Sequence, residues 1–384
     1  MIRRDRLQAL LLELIQIDSV SYREREIALR LKRELESMGG QTLIDDAGEK
    51  VGGNVGNLIA RFPATASAAP PLLLSAHMDT VAPGERVRPV VEGDIIRSDG
   101  TTVLGGDDKS GLAIICEVVR SLAEHDIPRG TLEVVFTIGE EVGLAGAKTL
   151  DTSQLKARCG LVLDSEDAGC LITRAPAADR MEFLVNGLEA HAGVCPEQGI
   201  SAIQIASQAI ARMRLGRIDH ETTANVGIIQ GGLATNIIPQ KVLVKAEARS
   251  HDEGKLLAQG THMRRCFDEA AAAAQLELNG VRHTGRVEAR IQRNYPMMAV
   301  PDGSRIVRLV MDAAQNLGYQ LKTMPTGGGC DANIFNGKGI ESANLGTGMH
   351  AIHTLKEWLD MQDLHRAAEI VFEMVRLNAG QGGD

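Results

Sequence analysis

The first residues whose types and spacing suggest chemistry are a histidine and an aspartate just after a short apolar segment. His77 and Asp79 follow the apolar run of residues 72–76. On an extended chain, residues two positions apart lie on the same side, so the Asp79 carboxylate can accept the second imidazole N–H of His77. Metal-bound histidines are commonly oriented in this way. Because a lone histidine at a strand end is more often structural, the pair alone is only a candidate ligand and its partner.

Acidic residues occur where three further predicted elements begin or end. They are Asp107, Asp108, Glu140, Glu141 and Asp164. Taken singly, each could be a helix cap, a turn cap or a solvated surface acid. Because the carboxyl ends of parallel strands meet at one edge of a sheet, we expect these acids to converge with His77. Imidazole and carboxylate together suit zinc, manganese or cobalt better than magnesium. A second metal needs another histidine, and His350 and His353 are the candidates.

Helices and strands that alternate along the chain must position these residues. Helical spacing of apolar residues covers residues 4–17, 24–38, 110–124, 304–317 and 362–377, and short apolar runs of strand type cover residues 72–76, 131–138 and 161–163. This alternation predicts an α/β catalytic domain with a mixed, largely parallel sheet flanked by helices.

The middle third of the chain follows a different order. We predict strands over residues 181–185, 226–230, 242–248 and 286–291 and helices over residues 201–215 and 253–276. That order, β-α-β-β-α-β, is typical of a small ferredoxin-like domain. We therefore expect a discontinuous catalytic domain, residues 1–177 and 292–384, with residues 178–291 inserted as a second domain.

Composition excludes several classes of function. The 384 residues carry a net charge of −9 and only 3% aromatic residues, which argues against nucleic acid as a partner because neither a basic surface nor stacking platforms are available. No segment approaches the roughly 20 apolar residues of a membrane span. The 6 cysteines form no C-x-x-C pair and are expected to be reduced thiols. We expect a cytoplasmic enzyme without a membrane partner.

Eight motifs then resemble, in order, one family of enzymes. They read S-A-H-M-D-T-V, G-G-D-D-K-S-G, G-E-E-V-G, L-D-S-E, H-A-G, T-N-I-I-P, G-G-G-C-D-A-N and I-H-T-L-K-E. The chain resembles the M20 family of di-zinc metallopeptidases, particularly its peptidase T-like, tripeptidase-type branch. The resemblance implies two divalent metal ions per chain, zinc first, with cobalt or manganese as alternatives. It also implies that the inserted domain is a lid through which two copies form a homodimer.

The resemblance assigns a role to each residue that matches a motif. Asp107 would bridge both metals. The other ligands would be His77 and Asp164 at one metal, and Glu141 and His353 at the other. His353 is preferred to His350 because the family's last ligand is followed four residues later by an acid, here Glu357. Glu140 would be the general base acting on a metal-bridging hydroxide, and Asp79 the partner of His77. A cis peptide between Asp107 and Asp108 is also implied.

Three residues of the inserted domain match positions that contact substrate in the family. His191 would donate to the oxyanion, across the dimer, while Asn236 and Arg249 would hold the far end of the substrate. For Arg249 a surface ion pair at a strand end is an equal alternative. One stretch departs from the close tripeptidases, because residues 326–332 read T-G-G-G-C-D-A and lack the arginine found there. Strict specificity for tripeptides is therefore not expected.

Together these features predict metal-dependent hydrolysis of the peptide bonds of short peptides by an aminopeptidase or tripeptidase-like enzyme. The aspartate at position 164 favours the aminopeptidase branch of the family over carboxypeptidases and deacylases. The main alternative is an amidohydrolase or deacylase acting on N-acyl amino acids or modified dipeptides. A more remote alternative is a non-catalytic metal-binding protein, which the presence of Glu140 argues against.

Overall fold

The fold comes from a computed structural model, which describes residues 1–66 and 69–380. Within these residues ten α-helices, α1 to α10, cover Arg4–Ile15, Arg25–Ser37, Ala47–Val51, Gly106–Glu124, Ala145–Thr149, Ala202–Arg212, Glu253–Ala273, Arg305–Asn316, Asp331–Gly337 and Met361–Gly380. None of the helices in this part of the chain combines the length and the hydrophobicity needed to span a bilayer.

Strands in the same residues, β1 to β22, cover Gln41–Ile44, Leu58–Phe62, Leu72–His77, Pro89–Glu92, Ile95–Ser98, Leu132–Thr137, Cys159–Ser165, Cys170–Ala175, Ala177–Asn186, Ala190–His191, Gly216–Arg217, Thr222–Gly231, Ile237–Ile238, Lys241–Ser250, Gln275–Leu278, Val281–Thr284, Arg286–Tyr295, Met298–Ala299, Lys322–Pro325, Glu341–Gly346, Met349–His350 and Trp358–Asp360.

Contacts between residues divide the chain into two compact units. Unit 1 comprises Met1–Arg174, Met298–Thr326 and Cys330–Asp384, and unit 2 comprises Ala175–Met297 and Gly327–Gly329. Unit 1 contains a nine-stranded sheet in the order β1-β2-β6-β3-β7-β20-β8-β18, with β19 beside β8. Its centre is parallel, because β6, β3, β7 and β20 pair in parallel. The pairs β1–β2, β2–β6 and β20–β8 are antiparallel, whereas β19 pairs with β8 in parallel. The class predicted from the sequence, α/β with a mixed sheet and flanking helices, is confirmed.

The parallel centre of this sheet explains where the polar residues lie. Strand β3 is buried along its whole length, and His77 at its end is in register with Thr137 at the end of β6. Because both faces of a parallel sheet are covered, such strands read as continuous apolar runs. Helix α4, which packs against β3, is likewise buried over most of its length. The ends of β3, β6 and β7 therefore lie side by side at one edge.

Unit 2 is built on a five-stranded antiparallel sheet in the order β11-β12-β14-β9-β17. Its long elements follow one another as β9, α6, β12, β14, α7 and β17. One core, centred on Phe183 of β9 and Phe267 of α7, joins the helices to the sheet, and these two rings stack with their centroids 4.2 Å apart. The short strands β10 and β13 form a separate pair.

The structure differs from the sequence prediction at the start of α4. This helix begins at Gly106 rather than at residue 110, but Asp107 and Asp108 have non-helical backbone angles. The peptide between them is cis, as the family resemblance implies. Three amides of this turn donate to the buried carboxylate of Glu357, from Leu104 at 2.7 Å, Gly105 at 2.9 Å and Asp107 at 3.1 Å. The turn is stable here because Glu357 accepts hydrogen bonds from buried amides that the helix itself leaves without an acceptor.

A small sheet that the sequence analysis missed carries the last candidate ligand. Strands β21, β22, β5 and β4 form an antiparallel sheet in this order. His353 lies between β21 and β22, in the same connection as Glu357. The chain near residue 355 is thereby tied to the turn before α4, about 250 residues away in sequence.

Glu357→Ala should destabilise unit 1, since it leaves three buried amide donors without an acceptor. Each such group costs about 1–3 kcal/mol, so we expect the free energy of unfolding of the metal-free protein to fall by about 3 kcal/mol or more. Urea denaturation followed by circular dichroism measures this. Lys356→Ala, at the exposed neighbouring residue, is the matched control and should change stability by less than about 0.5 kcal/mol. Equal stability of both variants would show that Glu357 is dispensable for the turn.

Candidate metal centre

The ends of β3 and β7 and the start of α4 bring a histidine and two aspartates together. His77 Nε2 lies 3.0 Å from Asp107 Oδ1 and 3.7 Å from Asp164 Oδ1. The other ring nitrogen, Nδ1, lies 2.9 Å from the main-chain oxygen of Asp79. A carbonyl oxygen only accepts hydrogen bonds, so Nδ1 carries the proton of the neutral ring. Nε2, which faces the carboxylates, is then the atom that can bind a metal.

Asp107 stands between two imidazoles and turns one oxygen to each. Its Oδ1 faces His77, and its Oδ2 lies 3.0 Å from His353 Nε2. His353 Nε2 is also 3.0 Å from Glu141 Oε2. His353 has a positive φ of 61°, so the backbone is locally strained where its ring meets these carboxylates. A carboxylate placed in this way has the geometry of a bridge between two cations.

Charge in this cluster is balanced by protons when no cation is present. Burial raises the pKa of Asp164 to about 7 and raises the pKa of Glu141 above its usual value, helped in both by the charge of Asp107. Although burial alone would raise it, hydrogen bonds with His353 and His77 hold the pKa of Asp107 below its usual value. The hydrogen bond between His353 and Asp107, followed by the one between His353 and Glu141, raises the pKa of His353 to about 10. Divalent cations would take the place of these imidazole protons.

The donor set fits divalent metal ions. Potential ligand atoms of His77, Asp107 and Glu141 lie within 4.8 Å of one another, as do those of His77, Asp108 and Asp164. Within the described residues, the buried Glu141 Oε1 has no hydrogen-bond partner. A buried carboxylate oxygen without a donor is unfavourable unless a cation satisfies it. This chain thus contains a candidate metal site in unit 1.

Asp108 is close to the cluster, but both of its oxygens are already used. Its Oδ2 accepts from the amide of His77 and its Oδ1 from the amide of Gly111, each at 3.1 Å. The residue is completely buried. Asp108 therefore fixes the end of β3 against the start of α4, while the oxygens of Asp107 face the imidazoles.

Asp79 contacts more than the histidine with which it was paired in the sequence analysis. Its Oδ1 lies 3.4 Å from His77 Nδ1, farther than its own main-chain oxygen. The carboxylate instead accepts from the amide of Glu140 at 2.9 Å, from the amide of Glu141 at 3.2 Å and from Ser21 Oγ at 2.7 Å. Asp79 thus orients His77 mainly through its backbone and holds the turn after β6 through its side chain.

Glu140 and Glu141 are adjacent in the turn after β6, but their carboxyl groups have different surroundings. The Glu141 carboxylate meets His353, as described above. Burial, with the charge of Asp164 as the next cause, raises the pKa of Glu140 well above its usual value. A buried carboxyl group that gives up its proton reluctantly is also one that takes up a proton readily, which is what a general base requires.

His350, the alternative ligand, lies elsewhere. Its ring stacks on the indole of Trp358 with the centroids 3.9 Å apart. Of the two histidines, the structure brings His353 to the carboxylates.

Three residues of unit 2 matched substrate-binding positions in the family, and the structure brings two of them together. His191 in β10 is paired with Ile237 of β13, and the amide of Ala192 donates to the main-chain oxygen of Asn236 at 2.9 Å. The His191 ring is exposed, and its Nδ1 accepts from the amide of Gly193 at 3.2 Å. His191 and Asn236 therefore form one polar corner of unit 2.

Arg249 lies apart from this corner, in β14. Its Nε is paired with Glu247 Oε1 at 3.0 Å, as the surface ion-pair alternative expects. Its Nη1 extends to within 3.5 Å of the main-chain oxygen of Gly327.

Sequence reasoning missed two residues that support the candidate site from behind. Asn344 brackets the backbone of Asp164: its Oδ1 accepts from the Asp164 amide at 2.9 Å, and its Nδ2 donates to the Asp164 oxygen at 2.7 Å. Asp331 accepts from Thr137 Oγ1 at 2.5 Å. Asp331 lies in a motif that was recognised without a role for this residue, whereas nothing in the local sequence marks Asn344.

Comparison with known proteins shows the family of the chain. Residues 73–377 match the sequence pattern of peptidase family M20/M25/M40. The structure of a tripeptidase from Staphylococcus aureus subsp. aureus Mu50 superposes with a TM-score of 0.91 at 39% identity, covering 99% of this chain and 100% of the other. The aminopeptidase PepT from Bacillus cereus ATCC 10987 gives a TM-score of 0.88, also at 39% identity, with the same coverage of 99% and 100%. Protein YqjE of Bacillus subtilis strain 168 is 42% identical over 98% of this chain and 99% of its own length. The chain therefore belongs to peptidase family M20/M25/M40, and it is an enzyme that hydrolyses peptide bonds.

Proposed function

We propose that the cluster in unit 1 is a two-metal centre in which Asp107 bridges both ions. His77 and Asp164 complete one site, and Glu141 and His353 complete the other. The observation that carries this proposal is the position of Asp107, whose two oxygens each lie 3.0 Å from a different imidazole. Mixed nitrogen and oxygen ligands favour zinc, with cobalt or manganese as substitutes.

Glu140 and Asp79 have different roles beside this proposed centre. Two divalent ions, when bound, polarise a carbonyl and make a water more acidic. Glu140 accepts the proton of the attacking water and passes it to the leaving amine, for which its raised pKa is suited. Asp79 keeps His77 in the tautomer that presents Nε2, and holds Glu140 and Glu141 by their amides. In this scheme Glu140 moves protons and does not bind metal.

Short peptides are the proposed substrates, cleaved by removal of the amino-terminal residue. Support comes from similarity, at 39% identity over nearly the whole chain, to structures described as an aminopeptidase and a tripeptidase. The loop of residues 326–332 contains no arginine. We therefore propose a peptidase that accepts dipeptides as well as tripeptides.

Unit 2 is proposed to act as a lid and as the contact between two copies of the chain in a cytoplasmic homodimer. His191 donates to the oxyanion in the active site of the other copy, and Asn236 and Arg249 hold the far end of the peptide. All proposed metal ligands lie in unit 1 and these three residues lie in unit 2, which is consistent with a division between chemistry and substrate capture.

Purified protein loaded with zinc should release the amino-terminal residue from free di- and tripeptides, measured by chromatography of the products. N-acetylated peptides and N-acyl amino acids should not be cleaved, because a free amino terminus is required. Glu140→Gln should keep both ions by elemental analysis but lose about 10²- to 10⁴-fold in kcat, the usual contribution of a general base. Cleavage of the acylated compounds alone would identify a deacylase, and loss of one ion from Glu140→Gln would make Glu140 a ligand.

Asp107→Ala should weaken both metals at once, since the bridging carboxylate serves both and separates two cations that otherwise repel each other. We expect less than one tightly held ion per chain after dialysis, compared with two in the wild type. Asp164→Ala is the matched control and should weaken one site more than the other. Two tightly held ions in Asp107→Ala would place the bridge elsewhere.

His191→Ala should reduce the rate of hydrolysis while leaving the fold and both metals unchanged. If His191 acts across a dimer, mixing inactive His191→Ala with inactive Glu140→Gln should restore activity. One site of the heterodimer then has Glu140 from its own chain and His191 from the other. Absence of recovery, after labelled subunits have been shown to exchange, would mean that His191 acts within its own chain or not at all.

A further inference from the structure

A buried glutamate outside the metal centre is bound to the turn that carries Glu140 and Glu141. Glu24 is completely shielded from solvent. Its Oε1 accepts from the amide of Gly139 at 3.0 Å and from the amide of Tyr22 at 2.8 Å. Gly139 immediately precedes the two glutamates and lies more than one hundred residues from Glu24 in sequence. This contact therefore connects the start of the chain to the end of β6.

Glu24 and Asp79 together hold three successive amides of this turn. Glu24 takes the amide of Gly139, and Asp79 takes those of Glu140 and Glu141. The direction of the two glutamate side chains is set by the peptide planes that these hydrogen bonds fix. All three amide donors are thereby satisfied, and loss of any of these acceptors would leave a backbone N–H of the turn without its partner.

Packing around the glutamate reinforces this connection. The amide of Ser21 donates to the main-chain oxygen of Thr80 at 3.3 Å, and Ser21 Oγ donates to Asp79. Tyr22 has a positive φ of 70°, and a side chain on Gly139 would meet the Tyr22 ring at 3.2 Å. Residues 20–24 thus lie directly against both the turn after β3 and the turn after β6.

The obvious structural role for Glu24 does not account for these contacts. Glu24 is the residue before α2, where a side-chain oxygen often caps the helix by accepting from its first amides. Among the described residues, however, its side chain makes no hydrogen bond to the amides of α2. The carboxylate turns instead to Gly139.

We propose that Glu24 is a positioning residue for peptide hydrolysis, which holds the Gly139 amide so that Glu140 and Glu141 face the metal centre. The inference rests on the proposed function of that centre. Glu24 acts through the turn, and its hydrogen bonds go to backbone amides at residues 22 and 139. Loosening of the turn should therefore affect two properties together: the proton transfer by Glu140 and the affinity of the metal that Glu141 binds.

Substitutions of Glu24 can distinguish the position of its oxygen from its charge. One oxygen, Oε1, accepts both amides, and Oε2 is buried with no hydrogen-bond partner in the described part of the chain. Glutamine keeps an oxygen at the position of Oε1, whereas aspartate keeps the charge but is one methylene too short. Burial, followed by the charge of Asp79, raises the pKa of Glu24 to about 7, so a neutral group is tolerated at this position.

Two substitutions test the proposal on full-length, metal-loaded protein with a tripeptide substrate. Glu24→Asp should lower kcat by about 10- to 100-fold, the range expected from misplacement by about 1 Å, with little change in KM. Titration with a chelator should release one of its two metal ions more readily than in wild type. Glu24→Gln should retain kcat and both affinities close to those of wild type. Glu24→Ala should show the same losses as Glu24→Asp.

Glu133 offers a matched control in the same unit. It is completely buried, and its Oε2 accepts from the amides of Lys156 and Ala157 at 2.8 and 2.9 Å. Glu133→Asp should lower thermal stability while leaving kcat and both metal affinities unchanged. A loss of stability alone is what a purely structural glutamate produces.

The outcomes are distinguishable. Wild-type kcat and metal affinities in Glu24→Asp would overturn the inference, as would equal damage in Glu24→Gln, which would make charge rather than position the cause. The same selective loss of one metal in Glu133→Asp would also overturn it. A wild-type protein that binds no pair of ions would overturn the proposed centre itself, and this is measured first in the same series.

Discussion

Repulsion among buried carboxylates at one edge of a sheet is the constraint on which the rest of unit 1 depends. Asp107, Asp164, Glu140 and Glu141 converge there, and burial opposes the charge of each. Like charges in a site of low dielectric constant remain close only if cations or protons compensate. Although burial alone would lower it, hydrogen bonds with Asp107 and Asp164 raise the pKa of His77, and those with Asp107 and Glu141 raise the pKa of His353 to about 10. Imidazole protons can therefore compensate part of this charge, and divalent ions would replace them in the proposed centre. A site that must bind cation or proton in order to be stable is well suited to metal-dependent hydrolysis.

The acidic residues that face the centre differ from those behind it in the hydrogen bonds that their carboxylate oxygens accept. Both oxygens of Asp108 and both oxygens of Glu357 accept from backbone amides. Asp107 has both oxygens directed at imidazoles, and Glu141 retains a buried oxygen with no partner within the described residues. Hydrogen bonding thus separates acids that look alike in sequence, such as the adjacent Asp107 and Asp108. The acids behind the centre fix backbone positions, and those in front are left available for metal.

The residues that face the centre could be predicted from the sequence far better than those that support it from behind. His77 and Asp164 follow apolar strands, and parallel pairing brings strand ends together, so periodicity is sufficient to predict their convergence. His353 was separated from His350 only by its spacing from Glu357, and the hydrogen bonds of Glu357 explain this spacing. Glu24 and Asn344 could not be found, because a hydrogen bond to a distant backbone amide leaves no periodic trace. The sheet of β4, β5, β21 and β22 was missed for a related reason, since its strands are short and half exposed.

The order of the proposed ligands along the chain would link metal binding to folding. His77 and Asp164 precede unit 2 in sequence and His353 follows it, so Asp107 meets His353 across a separation of 246 residues. The three amides that donate to Glu357 are separated from it by a similar number of residues. Closing so long a loop carries an entropic cost that grows only slowly with its length, and it must be offset by contacts made after closure. Because the proposed ligands come from both sides of unit 2 in sequence, a metal pair held by them would bind the closed chain and not the open one, and its binding free energy would add to the stability of unit 1. In the proposed centre, metal binding and closure of unit 1 would therefore stabilise each other, and the acids behind it, such as Glu357, join the same distant segments.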